Sequence, residues 1–113
     1  MTLRFDTWSA PSEGALFVIT GSSGTGKTTL VRQALSNIPG LSFSVSATTR
    51  SIRAGEQDGV DYHFHTMESF KALVNSDQML EWAEVYGNAY GTPRAPVQAT
   101  LSSGKSILLD IDV

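Results

Sequence analysis

The segment Gly21–Thr28, with the sequence GSSGTGKT, constrains the fold more than any other part of the chain. It fits the pattern G-x-x-x-x-G-K-[ST], in which backbone N–H groups cradle phosphate oxygens. Its glycines permit left-handed backbone angles and let the main chain approach a ligand closely. Lys27 supplies a mobile positive charge, and Thr28 supplies a hydroxyl oxygen suited to Mg²⁺. We call Gly21–Thr28 the phosphate loop.

The residues on either side of the phosphate loop support this interpretation. Residues 15–20 (ALFVIT) form a short apolar run that is typical of a buried strand. Apolar residues then recur at helical spacing, at Leu30, Val31, Ala34, Leu35 and Ile38. The loop is therefore predicted at a strand-to-helix junction, where a phosphate meets backbone N–H groups and the positive end of the helix dipole.

The composition excludes several classes of function. A chain of 113 residues, 41% hydrophobic and 17% charged, has room for one globular domain at most. A net charge of -3 argues against nonspecific binding to nucleic acid or to anionic membranes. The lack of cysteine excludes disulfides, thiolate catalysis and cysteine-ligated metals. Since no segment is typical of a membrane span or a signal peptide, we expect a cytoplasmic protein.

Three apolar segments, near Ala15, Leu41 and Ile107, are predicted as central strands. Strand, crossover and strand imply an α/β fold with a parallel sheet flanked by helices. The chain stops at Val113, directly after the last strand and without a turn residue. We therefore expect an incomplete sheet, the front part of a longer domain, whose open edge is a candidate surface for self-association.

The middle of the chain alternates short elements with loops. Residues 46–61 are too polar and too rich in glycine for a regular element, and long irregular segments are often functional. Thr66 is predicted to cap a helix, and residues 79–86 to be extended up to a turn at Gly87-Asn88. Thr92-Pro93 predicts the cap and first turn of another helix. The aromatic residues expected in the core are Phe43, Phe64 and Trp82.

Arg50 and Arg53 lie in this polar loop, and Tyr62 and Tyr90 lie beside short extended segments. Two guanidinium groups and two phenols can hold one phosphate, because arginine offers forked donors and tyrosine offers a single hydroxyl. Surface arginines beside core tyrosines are the alternative interpretation, but the position of the arginines in a polar loop favours a functional site.

Carboxylates occur at two further places. Asp110 and Asp112 share one face at the carboxyl end of the last strand, where ligands bind in open α/β sheets and where one of them could hold Mg²⁺ through water. The alternative interpretation of these two aspartates is that the strand simply leaves the core and enters solvent there. Glu81 and Ala83 face one way and Trp82 the other, and a partly enclosed Glu81 carboxylate would select a ligand edge that presents N–H donors.

Taken together, these residues resemble the guanylate kinases, P-loop kinases that transfer a phosphoryl group from ATP to GMP. The resemblance runs from about Leu16 to Val113. Its more specific motifs are Ser46–Arg50, Arg53–Glu56, Gly59–Tyr62, Phe64, Glu81–Ala83, Gly87-Asn88, Tyr90–Thr92 and Leu108–Asp112.

The resemblance implies a P-loop NTPase-type core with an inserted, small mixed α+β subdomain that binds GMP. On this basis we predict core residues 1–46 with the phosphate loop, a GMP-binding subdomain at 47–92 and a return to the core at 93–113. Family members continue into a lid bearing arginines, an adenine-contacting region and further strands, which this chain does not include.

The resemblance also implies roles for individual residues. Lys27 would stabilise charge on the transferring phosphoryl group, and Thr28 and Asp110 would serve the metal. The residues expected at the ATP phosphates are Gly21, Ser22, Ser23, Gly24, Thr25, Gly26, Lys27, Thr28 and Thr29. The GMP phosphate would be bound by Arg50, Arg53, Tyr62 and Tyr90, the guanine end by Ser46, Glu81, Thr92 and Asp112, with Gly91 beside them. The expected ligands are GMP, ATP and Mg²⁺.

Three other interpretations are open. One is a guanylate-kinase-like module that binds protein partners and has lost phosphate chemistry. The phosphate loop of such a module would be expected to be degraded, whereas the loop of this chain is intact. Another is a related P-loop kinase with a different phosphate acceptor. Glu81, Ser46 and Thr92 argue against this interpretation, because they favour an acceptor that carries guanine. The last is a truncated product that folds poorly or pairs through its open sheet edge.

Overall fold

The computed structural model describes residues 14–21 and 26–112, without the side chains of Thr28 and Asp112. The chain divides into two compact units, which we describe separately. The first contains the described residues up to Ser44 and again from Val97, and the second is Val45–Pro96. In chain order the elements are β1 (Leu16–Gly21), α1 (Lys27–Asn37), β2 (Leu41–Phe43), β3 (Ala47–Thr48), β4 (His63–Phe64), α2 (Met67–Asn75), β5 (Met79–Val85), β6 (Asn88–Pro93), α3 (Arg94–Ser102) and β7 (Ser106–Asp112).

The first unit is built on a three-stranded sheet in the order β1-β7-β2. Both pairs are parallel, so the predicted parallel sheet is confirmed. Side chains alternate along β7 and reach both faces of the sheet. Leu108 packs with Phe17, Ile19 and Ala34 on the α1 side. Ile107 and Leu109 pack with Val97 of α3 on the other side, so helices flank the sheet on both faces.

The second unit is a small mixed α+β structure with a sheet in the order β4-β3-β6-β5. The β3–β4 pair is parallel and the other two pairs are antiparallel. Phe70 of α2 is fully buried and packs with Ala47, Met79 and Ala89. Thr66 caps α2 as predicted, because its hydroxyl accepts the Ser69 N–H at 3.1 Å.

The strand register assigns the side chains of this sheet to two faces. Residues directly opposite each other on neighbouring strands share a face. Thr48, Tyr90 and Ala83 are opposite one another, and so are Ala47, Gly91 and Trp82. Because Ala47 packs against α2, the second set lies on the helix face. We call the other face the open face, and its members are Thr48, Glu81, Ala83, Tyr90 and Thr92. The predicted alternation of Glu81 and Trp82 is confirmed.

Several local predictions are wrong. Thr92 and Pro93 end β6 rather than start a helix, and α3 begins at Arg94. Residues 46–61 include a regular element, since Ala47 and Thr48 form β3. Trp82 contacts Phe70 edge-on at 6.2 Å but is 44% exposed, and Phe43 is 38% exposed, so neither is a core residue in the described part of the chain. No helix of that part is long and apolar enough to cross a membrane.

The β5–β6 hairpin turns at Tyr86-Gly87, one residue before the predicted position, because Val85 pairs with Asn88. Both turn residues have positive φ, 51° for Tyr86 and 81° for Gly87. A two-residue turn with positive φ at both positions matches the right-handed twist of the strands and favours Asn-Gly. Tyr86 is also fully exposed, so its ring gains no packing energy here.

We therefore expect Tyr86→Asn to stabilise the protein by about 0.5–1 kcal/mol, since asparagine adopts left-handed angles at lower cost than tyrosine. Urea unfolding monitored by circular dichroism measures the change. Gly87→Ala is the matched control and is expected to change stability in the opposite direction. An unchanged unfolding midpoint for Tyr86→Asn would show that the turn is unstrained.

Candidate functional site

The described end of the phosphate loop leads directly into α1. Gly26 is the N-cap residue with φ 85°, an angle that favours glycine, and the helix begins at Lys27. Among the described residues, no side chain caps the first turn. Such a helix start suits anion binding. Thr29 is exposed on α1, whereas Ser22, Ser23, Gly24 and Thr25 lie outside the described residues, as does the side chain of Thr28.

Lys27 and Asp110 form an ion pair at the end of the phosphate loop. The distance from Lys27 Nζ to Asp110 Oδ1 is 2.7 Å, with side chains 8% and 31% exposed. Asp110 Oδ1 is buried and lacks a hydrogen-bond partner of good geometry, so this charge contact is what offsets its burial. The register of β1 and β7 places Asp110 opposite Ile19 and Asp112 opposite Gly21. Both aspartates therefore lie on the strand paired with β1, with Asp112 level with the first residue of the phosphate loop.

Arg50, in the second unit, is held by the carboxylate of Glu56. Arg50 Nη1 donates to Glu56 Oε1 at 3.0 Å, and Nη2 donates to Oε2 at 2.9 Å. Glu56 Oε1 also accepts the backbone N–H of Arg53 at 2.8 Å. The side chain of Arg53 is exposed. The two predicted arginines are thus linked through a residue to which the sequence analysis gave no role.

The two predicted tyrosines lie beside Arg50. Arg50 Cζ is 5.2 Å from the centre of the Tyr62 ring and 5.8 Å from that of Phe64, within the range of cation–π attraction. The Tyr62 and Tyr90 rings meet edge-on with their centres 6.2 Å apart. Three of the four residues predicted to bind the acceptor phosphate therefore form one cluster.

Two threonines fix the backbone of the Arg50 loop, and the sequence analysis missed them. Thr48, fully buried, donates its hydroxyl to Ala89 O at 3.0 Å and accepts the Arg50 N–H at 3.1 Å. Thr49 Oγ1 accepts the Ala89 N–H at 2.8 Å. The sequence signals were their place in the Ser46–Arg50 motif and their position just before Arg50, and neither shows a role, since their partners lie on the distant strand β6.

Glu81 and Thr92, predicted at the guanine end, are in contact. Thr92 Oγ1 donates to Glu81 Oε1 at 2.6 Å, and Thr92 is buried. Ser46 precedes β3, and its carbonyl accepts the His63 N–H at 2.8 Å. Gly91 lies on the helix face, where an added Cβ would be 2.9 Å from Glu81 O and 3.1 Å from Met79 Sδ. Asp112 is opposite Gly21 in the first unit, and its side chain lies outside the description.

The charges of Arg50 and Glu56 stabilise each other. Hydrogen bonds from the Arg50 side chain, and secondarily from the Arg53 N–H, lower the pKa of Glu56 from its ordinary value of 4.5 to about 2. The same contact raises the pKa of Arg50. Both groups therefore stay charged at all pH values at which the protein is expected to work.

This contact predicts a loss of stability in acid. Because folding lowers the pKa of Glu56, its contribution is present above pH 4.5 and is lost as the pH falls through about 2. We expect the difference in unfolding free energy between wild type and Glu56→Gln to shrink over that interval. Urea unfolding of both proteins above pH 4.5 and near pH 2 measures it. A difference that stays constant would contradict the assignment.

The described residues contain no group of three or more His, Cys, Asp or Glu side chains that could hold a metal ion. Mg²⁺ does not need such a group, because it usually keeps several waters and takes only one or two protein oxygens. The Asp110 carboxylate is a donor of that kind.

Comparison with known proteins decides the family. The model of the family described as guanylate kinase matches residues 13–113. The chain belongs to the guanylate kinase family. Among family members, the guanylate kinase of Nitrobacter hamburgensis is 56% identical over 99 residues, which are 88% of this chain and 45% of that protein. The guanylate kinase of Caulobacter vibrioides is 50% identical over 102 residues, 90% of this chain and 48% of that protein.

A solved family member agrees in structure as well. The crystal structure of guanylate kinase from Anaplasma phagocytophilum is similar with a TM-score of 0.71 and 40% sequence identity, over 89% of this chain and 50% of that chain. This likeness supports the assigned fold in addition to the family. The chain thus spans about half the length of the guanylate kinases that it matches.

Proposed function

We propose that the protein is a nucleotide kinase that transfers the terminal phosphoryl group of ATP to GMP, giving ADP and GDP. The observation that carries this proposal is the cluster of Arg50, Tyr62 and Tyr90, which gathers a guanidinium and two phenols around one place. Such a set suits a phosphate monoester, because forked and single donors can share its oxygens. Relatives named guanylate kinase support the choice of acceptor.

The contact between Glu81 and Thr92 supports a guanine base on that acceptor. The Thr92 hydroxyl donates to one carboxylate oxygen of Glu81, and the carboxylate has further lone pairs for a ligand. Guanine presents N–H donors at N1 and N2, whereas adenine places an acceptor at N1 and would leave the second carboxylate oxygen of Glu81 without a donor. A buried group left unpaired discriminates strongly between ligands. Ser46 belongs to this proposed base site.

The phosphate loop and Lys27 would hold ATP. Lys27 Nζ lies beside Asp110, and an ammonium has three donors, so it can also donate to phosphate oxygens. In the reaction, an oxygen of the GMP phosphate forms a bond to the terminal phosphorus of ATP, and the bond to the bridging oxygen breaks to release ADP. Such a transfer depends on positioning and on positive charge rather than on a nucleophilic side chain.

Mg²⁺ is part of the proposal. The Asp110 carboxylate fits the hard oxygen donor that this ion prefers, and Thr28 is proposed as the second residue on the metal side. When bound, the ion would neutralise charge on the ATP phosphates. Lys27 meanwhile contacts the carboxylate of Asp110 at 2.7 Å and orients it.

Calorimetric titration of the 113-residue chain with GMP and with AMP tests the proposal. We expect GMP to bind on the order of 100-fold more tightly, and Glu81→Gln to remove most of that preference. Glu84→Gln is the matched control, because Glu84 is an exposed glutamate of the same strand. Equal affinity for GMP and AMP in a folded sample would refute the guanine site. ADP release from ATP in the presence of GMP then tests the transfer itself.

A further inference from the structure

Glu56 contacts both arginines of the proposed acceptor site without belonging to the predicted binding residues. Its two oxygens accept from Arg50 Nη1 and Nη2, and Oε1 also accepts the Arg53 N–H. The Glu56 N–H in turn donates to Arg53 O at 3.0 Å, which closes the turn between them. A carboxylate with three such bonds is well suited to fix the geometry of its partners.

The hydrogen bonds of Arg50 show which of its edges a ligand can use. A guanidinium has five N–H donors. Nη1 uses both of its hydrogens, on Ser51 O at 3.0 Å and on Glu56 Oε1, and Nη2 uses one on Glu56 Oε2. Within the described part of the chain, the two donors that remain are Nε–H and the second hydrogen of Nη2. These two point in parallel from the same side of the group.

The faces of the guanidinium are restricted as well. The Tyr62 and Phe64 rings lie within 5.8 Å of Arg50 Cζ. The backbone of Arg50 is fixed by its N–H bond to Thr48 Oγ1. The group is therefore held at one edge by Glu56 and flanked by aromatic rings, and its parallel donor pair has a defined direction. Parallel pairs of this kind bind phosphate and carboxylate through two bonds at once.

We propose that Glu56 is the positioning residue of the acceptor-phosphate site: it holds Arg50 so that the Nε–Nη2 edge meets the phosphate. This inference rests on the proposed function and deepens it. Glu56 does not touch the nucleotide in this arrangement. It acts through Arg50, and through the Arg53 backbone it also fixes the turn that carries the second arginine.

The opposite role for Glu56 would be that of a competitor, whose carboxylate occupies the place of the phosphate on Arg50 when no nucleotide is bound. The bonding pattern argues against it, because Glu56 binds the Nη1–Nη2 edge and leaves the Nε–Nη2 edge to a ligand. The two roles predict opposite effects of removing the charge. A positioning residue strengthens phosphate binding, whereas a competitor weakens it.

The test measures the dissociation constants of GMP and guanosine by calorimetry with the 113-residue chain. The dissociation constant of guanosine divided by that of GMP isolates the part of the affinity that comes from the phosphate. We expect Glu56→Gln to reduce this ratio on the order of tenfold and to leave guanosine binding unchanged. Glu84→Gln, which removes the same charge from an exposed position, is expected to leave the ratio unchanged.

A double-mutant cycle with Arg50→Ala separates positioning from a general structural role. If Glu56 acts through Arg50, then Glu56→Gln has little further effect on the ratio once Arg50 is alanine. An equal effect in both backgrounds, an unchanged ratio, or tighter GMP binding by Glu56→Gln each overturns the inference. A wild-type chain that binds GMP and guanosine alike refutes the proposed phosphate site itself. A wild type that prefers GMP, with Glu56→Gln unchanged, refutes only the positioning role.

Discussion

Replacing Lys27 with methionine is expected to lower the rate of phosphoryl transfer by about 10²–10³-fold, the usual effect of removing one donor that stabilises transition-state charge. The variant keeps the length of the side chain but removes its charge. It also leaves the buried Oδ1 of Asp110 without its cation, which should cost about 1–3 kcal/mol of stability. ADP release in the presence of GMP and urea unfolding measure the two effects.

Two further variants make this prediction specific. Lys105→Met removes the same charge from an exposed lysine of the first unit and is expected to change neither rate nor stability. Adding Asp110→Asn to Lys27→Met should recover part of the lost stability, because the buried charge is gone, but none of the rate. A Lys27→Met protein that transfers phosphate at the wild-type rate would rule out the proposed role of this lysine.

The second large effect is expected at Arg50. Arg50→Ala should weaken GMP binding by roughly 100-fold, since it removes a charged donor pair and leaves Glu56 without its main partner. ATP affinity should stay nearly constant, because the residues proposed to hold ATP are those of the phosphate loop and Arg50 is not one of them. Calorimetry with each nucleotide measures both affinities.

Arg32→Ala serves as the control for Arg50→Ala. Arg32 is an exposed arginine of α1, and its loss changes the net charge by the same amount. We expect nearly wild-type GMP binding from this variant. If Arg50→Ala weakened ATP binding but not GMP binding, the nucleotides assigned to the two units would have to be exchanged.

The sequence was sufficient to predict the elements whose signals are local. The apolar run before Gly21 and the helical spacing after it predict the strand and helix around the phosphate loop, and both form. A strand period of two predicts that Glu81 and Trp82 face opposite ways, and the register agrees. Such patterns depend only on neighbouring residues, so they can be read without knowing the partners.

The errors concern residues whose environment is set by distant segments. Thr92-Pro93 resembles a helix start locally, yet Thr92 pairs with Glu81 across the hairpin and donates its hydroxyl to it. The turn was misplaced by one residue because Tyr86 adopts a left-handed angle that its residue type disfavours. Glu56 received no role because nothing local shows that its carboxylate reaches Arg50, six residues earlier.

The arrangement of the first sheet has a consequence for the order of folding during synthesis. Strands β1 and β2 are each hydrogen-bonded to β7 and not to each other, and the Ala15–Ser106 contact spans 91 positions of the chain. The segment Val45–Pro96 is synthesised before β7, so all strands of the second unit exist while the first unit still awaits its central strand. The ion pair between Lys27 and Asp110 is therefore among the last contacts to form.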